Sequence, residues 1–378
     1  MFTFHADIAI PILWGDSRFK KSRWGTVNLM VGANGSGKTL LAEQLAQQLQ
    51  EAGNRTVYLR VERIGDSGSG IPEGILKRLT ERPDIKENIE TVLSEMFRKT
   101  MYLAEEEGEL VPRVRTLATG AEYNVRDGEC HGLREIITLL TALYDDSHDV
   151  LILDEPEMHL HPQFQAFFLS EIRRQAERGK VFFIITHSPY FIDIRTLEDL
   201  QSIILCHRDA LPTHIEKITG EHEWLLKKFL PRFNTHHKQF FFSDVPVFVE
   251  GYTDQQIVTL LLEKISPPMN TSGISVIDVG GKDELGVFFI LCAELGTPAN
   301  IIADLDALFR GKLRDVLCAD GRPDLYLRDR RIAESLRDAL SRLERSLVNF
   351  GEILNEAEPQ PGRFGKFITR IQGFYNGA

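Results

Sequence analysis

The chain has 378 residues, room for two domains that each bury a core. Its 43% hydrophobic and 26% charged residues fit a globular protein, not a disordered or fibrous one, and the formal net charge of −11 argues against nonspecific coating of nucleic acid. No apolar run approaches the ~20 residues of a membrane helix, and the acid-interrupted start Met1-Phe-Thr-Phe-His-Ala-Asp7 does not read as a secretion signal. Cys130, Cys206, Cys292 and Cys318 are widely spaced with no Cys-x-x-Cys pair, which suits reduced thiols and a cytoplasmic location, not a disulfide framework or a zinc site.

In chain order, Thr26 to Val31 predicts a short buried strand, followed by Gly32-Ala-Asn-Gly-Ser-Gly-Lys-Thr39. A helix is expected from Lys38 to about Gln50, with Leu40, Leu41, Leu45 and Leu49 on one face, and a strand from Thr56 to Val61. Residues 63 to about 113 carry a Gly/Ser loop, Asp66-Ser-Gly-Ser-Gly70, and then charged stretches expected to be helical; they read as an insertion in the domain around them. Further on come a helix at His131–Tyr144, a buried strand at Val150–Leu153, a helix at Pro162–Arg178 and a strand at Val181–Ile185 that ends in Thr186-His-Ser-Pro189.

The pattern restarts after Phe240-Phe-Phe-Ser-Asp244. Strand 245–249, helix 253–265, strand 274–279, helix 283–295 and strand 300–304 alternate, as a parallel α/β sheet requires. Two α/β domains are therefore expected, residues 1–242 and 243–378. The remainder, 307–378, reads as largely helical with a late strand at Lys366–Ile371. Charge changes along the second domain: 9 acids face 2 bases from Val245 to Asp306, and 10 acids face 13 bases from Ala307 onward. Such a succession suits metal ligands followed by phosphate contacts, with Arg328, Arg330 and Arg331 as candidates, but a solvated helix laced with Arg–acid pairs reads the same way.

Gly32-x4-Gly37-Lys38-Thr39, between a strand and a helix, is a complete P-loop. Backbone N–H groups of Asn34, Gly35, Ser36 and Gly37 would cradle ATP phosphates at the helix N-terminus, Lys38 would reach the terminal phosphates, and Thr39 would hold Mg²⁺. Val150-Leu-Ile-Leu-Asp154-Glu155 supplies the partner strand, with Asp154 as a second Mg²⁺ contact and Glu155 to polarise the attacking water. Glu250 with Asp254, and Asp304-x-Asp306, each follow an apolar strand of the second domain. On a parallel sheet such strand ends meet along one edge, where gathered carboxylates suit Mg²⁺ or Mn²⁺ and in-line phosphodiester chemistry.

The segment Asp154-Glu-Pro-Glu-Met-His-Leu-His-Pro162 resembles the Walker B to D-loop stretch of ABC-type ATPases in the SMC, RecF and OLD (overcoming lysogenization defect) group. His187 resembles that group's switch histidine. The signature loop, expected to bind ATP across a dimer, is matched only by Arg126-Asp-Gly-Glu-Cys-His-Gly132: Gly128 and Glu129 fit, while Asp127 stands where serine is usual. Val247-Phe-Val-Glu250-Gly-Tyr-Thr-Asp254, Ile274–Lys282 and Ile301-Ile-Ala-Asp304-Leu-Asp306 resemble the successive motifs of a Toprim domain. An ABC ATPase followed by Toprim is the order in OLD-family nucleases, over about residues 25 to 310.

This resemblance implies an ATP-dependent, metal-dependent DNA endonuclease, a homodimer or higher oligomer, a role in anti-phage defence with an additional subunit, and no membrane. The family's later acids and lysine find only Glu334, Glu344 and Lys366, in unmatched contexts. The alternative is an ATP-dependent scaffold that senses DNA or clamps a partner through an inactive Toprim domain.

Overall fold

The computed structural model describes residues 2–60, 71–106, 109–125, 131–208, 210–218, 220–265, 273–309 and 311–355. It divides into two compact units: Met1–Pro246 with Ser266–Ile277 and Glu294–Pro298, and Val247–Ile265 with Asp278–Ala293 and Ala299–Ala378.

The first unit opens with an antiparallel hairpin, β1 (Phe2–Ala9) on β2 (Arg18–Trp24). Its main sheet uses β3 (Val27–Val31), β4 (Thr56–Leu59), β8 (Val150–Asp154), β9 (Val181–Ile185), β10 (Ile203–Leu205) and β11 (Thr213–His214), in the order β11-β10-β3-β9-β8-β4. Five of these strands run parallel, and β11 closes one edge antiparallel to β10. β8 and β9 are buried at every residue. That is why both read as unbroken apolar runs: a parallel strand covered on both faces has no polar side to show.

The helix after the P-loop spans Lys38–Glu51 and buries Leu41, Leu45 and Leu49 against Met30, Ile152, Phe183 and Ile204. Ala6, Ile8 and Trp24 of the hairpin complete this core. Leu40, expected on the same face, is instead 41% exposed, because the apolar stripe follows the i, i+4, i+8 row through Leu41.

The insertion departs from its expected helical content. Helices Glu73–Glu81 and Pro83–Phe97 are present, but β5 (Lys99–Glu106), β6 (Glu109–Thr116) and β7 (Glu122–Asn124) then form a three-stranded antiparallel sheet. Charged residues of these strands form cross-strand pairs, Arg115 with Glu122 and Arg113 with Glu106. The insertion is tied to its surroundings by Arg78 Nε, which donates to Asp145 at 2.8 Å beside helix His131–Tyr144.

After β12 (Val245–Val249) come helix Tyr252–Ile265, β13 (Ile274–Asp278), helix Lys282–Glu294 and β14 (Asn300–Ile302), with the sheet in the order β13-β12-β14. β12 and β14 are parallel, with Val247, Phe248 and Val249 opposite Asn300, Ile301 and Ile302. β14 stops two residues earlier than expected, so Asp304 and Asp306 lie beyond it, in a turn and the 3-10 segment Leu305–Leu308. Helices Lys312–Ala319, Gly321–Asp329 and Leu336–Asn355 follow; the strand expected at 366–371 lies outside the described residues.

Candidate functional site

The P-loop turns between β3 and its helix through glycines that no other residue replaces easily. Gly37, the residue before the helix, has φ +81°, and a Cβ there would come 2.3 Å from Leu13 Cδ1; at Gly32 it would meet the Cys206 carbonyl oxygen at 2.3 Å. Lys38 is 6% exposed, and its Nζ donates to the carbonyls of Gly32 (3.0 Å) and Ala33 (2.9 Å). Burial lowers its pKa, opposed by the charges of nearby groups that include Glu155 and Asp154. Ser36 is buried, while Asn34, Gly35 and Thr39 are exposed along the loop. The Asn34 carbonyl accepts from Arg208 Nε at 3.2 Å, and the same guanidinium lies 3.1 Å from Asp244.

Asp154 ends β8 at 1% exposure, with Tyr58 Oη donating to its Oδ2 at 3.0 Å. Glu155 follows in the left-handed region (φ +45°), its N–H donating to the Ile185 carbonyl at 2.9 Å. Strain of this kind persists where surrounding bonds impose it. Its Oε1 lies 3.5 Å from His187 Nε2. Glu157 Oε1 accepts from the His187 N–H at 2.6 Å, and burial raises the pKa of that carboxyl. His187 itself is pushed down to about 4, by burial and then by Lys38. A neutral imidazole can donate on one side and accept on the other. His161 Nδ1 accepts from Gln163 N–H at the start of helix Pro162–Glu177, and His159 occupies a left-handed turn at φ +62°.

Lys38, Asp154, Glu155 and His187 thus converge on one end of the parallel sheet. Gly128, Glu129 and Asp127 lie outside the described residues. Tyr58, Glu157 and Arg208 were not singled out from sequence. Glu157 alone had a visible signal, as the second acid of Asp-Glu-Pro-Glu.

In the second unit, oxygens of Glu250, Asp304 and Asp306 lie within 4.8 Å of one another. Glu250 Oε1 accepts the Asp304 N–H at 2.9 Å, which ties the end of β12 to the turn beyond β14. The Val279 N–H donates to the Val249 carbonyl at 3.0 Å, bringing the Gly280-Gly281 turn alongside. The pKa of Glu250 is raised, first by partial burial and then by Asp304, Asp306 and Asp254, against the pull of the Asp304 N–H. Such like-charge crowding is what a divalent cation relieves, and three carboxylates are the hard oxygen donors that Mg²⁺ or Mn²⁺ takes. Asp254 stands outside the trio: its Oδ2 accepts the Gly251 N–H at 3.2 Å at the head of helix Tyr252–Ile265.

Lys282 Nζ lies 2.5 Å from Asp306 Oδ2, and this bond holds the ammonium pKa above its usual value. In the sequence Lys282 stands out only as the last residue of the motif Ile274–Lys282. Arg328, Arg330 and Arg331 are exposed, with the Arg330 guanidinium 5.1 Å from the Tyr326 ring centre. Acid pairing is also present, Arg322 with Asp320 and Arg342 with Glu334. Among the described residues no helix is long and apolar enough to cross a membrane.

Two stretches of the chain resemble known protein families. Residues 241–306 match the family model "Overcoming lysogenization defect protein-like, TOPRIM domain", and residues 131–193 match the family model "AAA domain, putative AbiEii toxin, Type IV TA system". An OLD nuclease of Thermus scotoductus is 28% identical over 163 residues, 41% of this chain and 30% of that protein. Endonuclease GajA of Bacillus cereus is 24% identical over 186 residues, 43% of this chain and 27% of that protein. The Old nuclease of Escherichia phage P2 is 24% identical over 280 residues, 70% of this chain and 47% of that protein. The chain therefore spans less than half the length of each of these relatives.

Proposed function

We propose that this chain, an ABC-type P-loop ATPase joined to an OLD-like Toprim domain, is an ATP-regulated endonuclease that cuts the DNA backbone with divalent metal. The observation that carries the nuclease half is the gathering of Glu250, Asp304 and Asp306 oxygens within 4.8 Å at adjoining strand ends. The proposed domain limits are 1–242 and 243–378.

In this reading Glu250, Asp304 and Asp306, with Asp254 nearby, hold Mg²⁺ or Mn²⁺. Bound there, the cation would neutralise charge on the attacked phosphate and lower the pKa of a bound water. Glu250 is fixed for this by the Asp304 N–H, and Lys282, paired with Asp306, keeps a positive charge beside the phosphate. Arg328, Arg330 and Arg331 supply exposed backbone contacts, so affinity for DNA falls steeply with salt.

In the ATPase half, Asn34 to Thr39 wrap the phosphates, and Thr39 and Asp154 hold Mg²⁺. Glu155 accepts a proton from the attacking water, and His187, neutral and 3.5 Å away, donates toward the γ-phosphate. Gly128 and Glu129 complete the site from a second protomer, which makes the working form a dimer or larger. The nuclease names borne by the relatives support the reaction class, and anti-phage defence in the cytoplasm alongside a further subunit is the proposed setting.

Plasmid nicking tests the reading. Mg²⁺ or Mn²⁺ should support nicking by the wild-type protein, and Asp304→Ala should abolish it with ATP binding intact. Metal-independent nicking, or none with either metal and ATP present, overturns it; the second result leaves the ATP-dependent scaffold.

A further inference from the structure

Tyr58 lies outside every motif, yet it contacts the least exposed carboxylate of the nucleotide site. It sits on β4, at the edge of the main sheet, opposite Ile152 of β8 in parallel register. Leu59 faces Leu153 next, so Asp154 projects just past the last pair of the ladder. The phenol reaches along the strand to bridge that gap, its Oη donating 3.0 Å to Asp154 Oδ2.

Tyr58 is itself held from the other side. The Arg60 guanidinium stands 5.5 Å from the ring centre and 3.1 Å from Glu43 Oε1. Glu43 lies one helical turn beyond Thr39 on the same helix, and residues four apart share a helix face. The chain Asp154–Tyr58–Arg60–Glu43 therefore connects the strand carrying one proposed Mg²⁺ contact with the helix carrying the other.

An aspartate carboxylate rotates in a broad, two-fold well, so its plane is set by its partners. Groups that hydrogen-bond a metal-binding carboxylate orient it, and their loss typically weakens metal affinity ~10–100-fold. We infer that Tyr58 is a positioning residue for Asp154, fixing the rotation at which this carboxylate meets the Mg²⁺ of bound nucleotide. The inference rests on the proposed role of Asp154. A tyrosine that merely filled space at the sheet edge would affect folding stability and leave metal dependence alone.

Binding of a fluorescent ADP analogue to the full chain, titrated with Mg²⁺ and repeated in EDTA, separates these roles without relying on turnover. Tyr58→Phe keeps the ring and removes one oxygen. It should raise the Mg²⁺ concentration for half-maximal enhancement of nucleotide binding by about 10-fold, with affinity in EDTA unchanged. Tyr58→Phe added to Asp154→Asn should bring no further shift, because the phenol acts through that carboxylate. Mg²⁺-sensitive wild-type binding with an unmoved midpoint in Tyr58→Phe overturns the inference alone. Wild-type binding that ignores Mg²⁺ overturns it together with the role of Asp154.

Discussion

His187 Nε2 stands 3.5 Å from Glu155 Oε1, while the backbone N–H of the same histidine donates to Glu157 at 2.6 Å. One residue is thereby held against two carboxylates that leave β8 together. The pairing follows from the parallel register of β8 and β9, in which Asp154 faces Ile185, two positions before His187.

The depressed His187 pKa of about 4 has a pH consequence. An unfolded histidine takes its proton near 6.5. Between those values the unfolded chain binds more protons than the native one, so stability is full above about pH 6.5 and falls as pH drops toward 4. His214, also near 4 through burial, adds a parallel decline. Melting temperatures of His187→Asn between pH 7 and 4.5 should fall less than those of wild type; an identical decline refutes the assignment.

Lys38 and Glu155 are expected to separate binding from turnover. Lys38→Ala leaves the triphosphate without its buried cation and should abolish measurable ATP binding. Glu155→Gln keeps shape and removes the proton acceptor, so ATP should bind normally while steady-state hydrolysis drops roughly 10²–10⁴-fold. Undiminished hydrolysis in Glu155→Gln would place the base elsewhere.

Lys282 pairs with Asp306, where it would compete with the proposed divalent ion. Removing its charge in Lys282→Met should tighten Mn²⁺ binding several-fold, read by calorimetry, yet slow nicking, because the phosphate loses its neighbouring cation. Wild-type protein should also be stabilised by metal through mass action, by about 2.7 kcal/mol at a concentration 100 times Kd. Asp304→Ala should lose that stabilisation. Weaker Mn²⁺ binding in Lys282→Met would show that the lysine organises the site.

Arg78 and Asp145 form the half-buried link between the insertion and helix His131–Tyr144. Hydrogen bonds from Arg78 and Ser147 outweigh the burial that opposes them, and hold the Asp145 pKa down to about 2. The stability they contribute is complete above the unfolded value near 3.9 and is lost as pH falls through about 2. Arg78→Leu strands the carboxylate and should cost about 2 kcal/mol in urea unfolding, less than a fully buried pair would. A cost near zero would mean that solvent already screens the contact.

The residue patterns that depend on neighbours along the chain are legible without the fold. The P-loop, the apolar strands ending in Asp154 and Glu250, and the Asp304-x-Asp306 step are local: each needs only a strand, a turn of small residues and the side chain that follows. The same holds for helix Lys38–Glu51, apart from Leu40, whose outward face is settled by which row of the helix meets the sheet. Which distant groups meet depends on how the strands pair and pack. Tyr58 reaches Asp154 across 96 positions, Glu250 accepts from Asp304 across 54, and Lys282 finds Asp306 across 24. Strands β5 to β7 escaped the sequence reading for the same reason: a charged strand is defined by hydrogen bonds and side-chain pairs supplied by its neighbours, and a linear pattern carries no record of those partners.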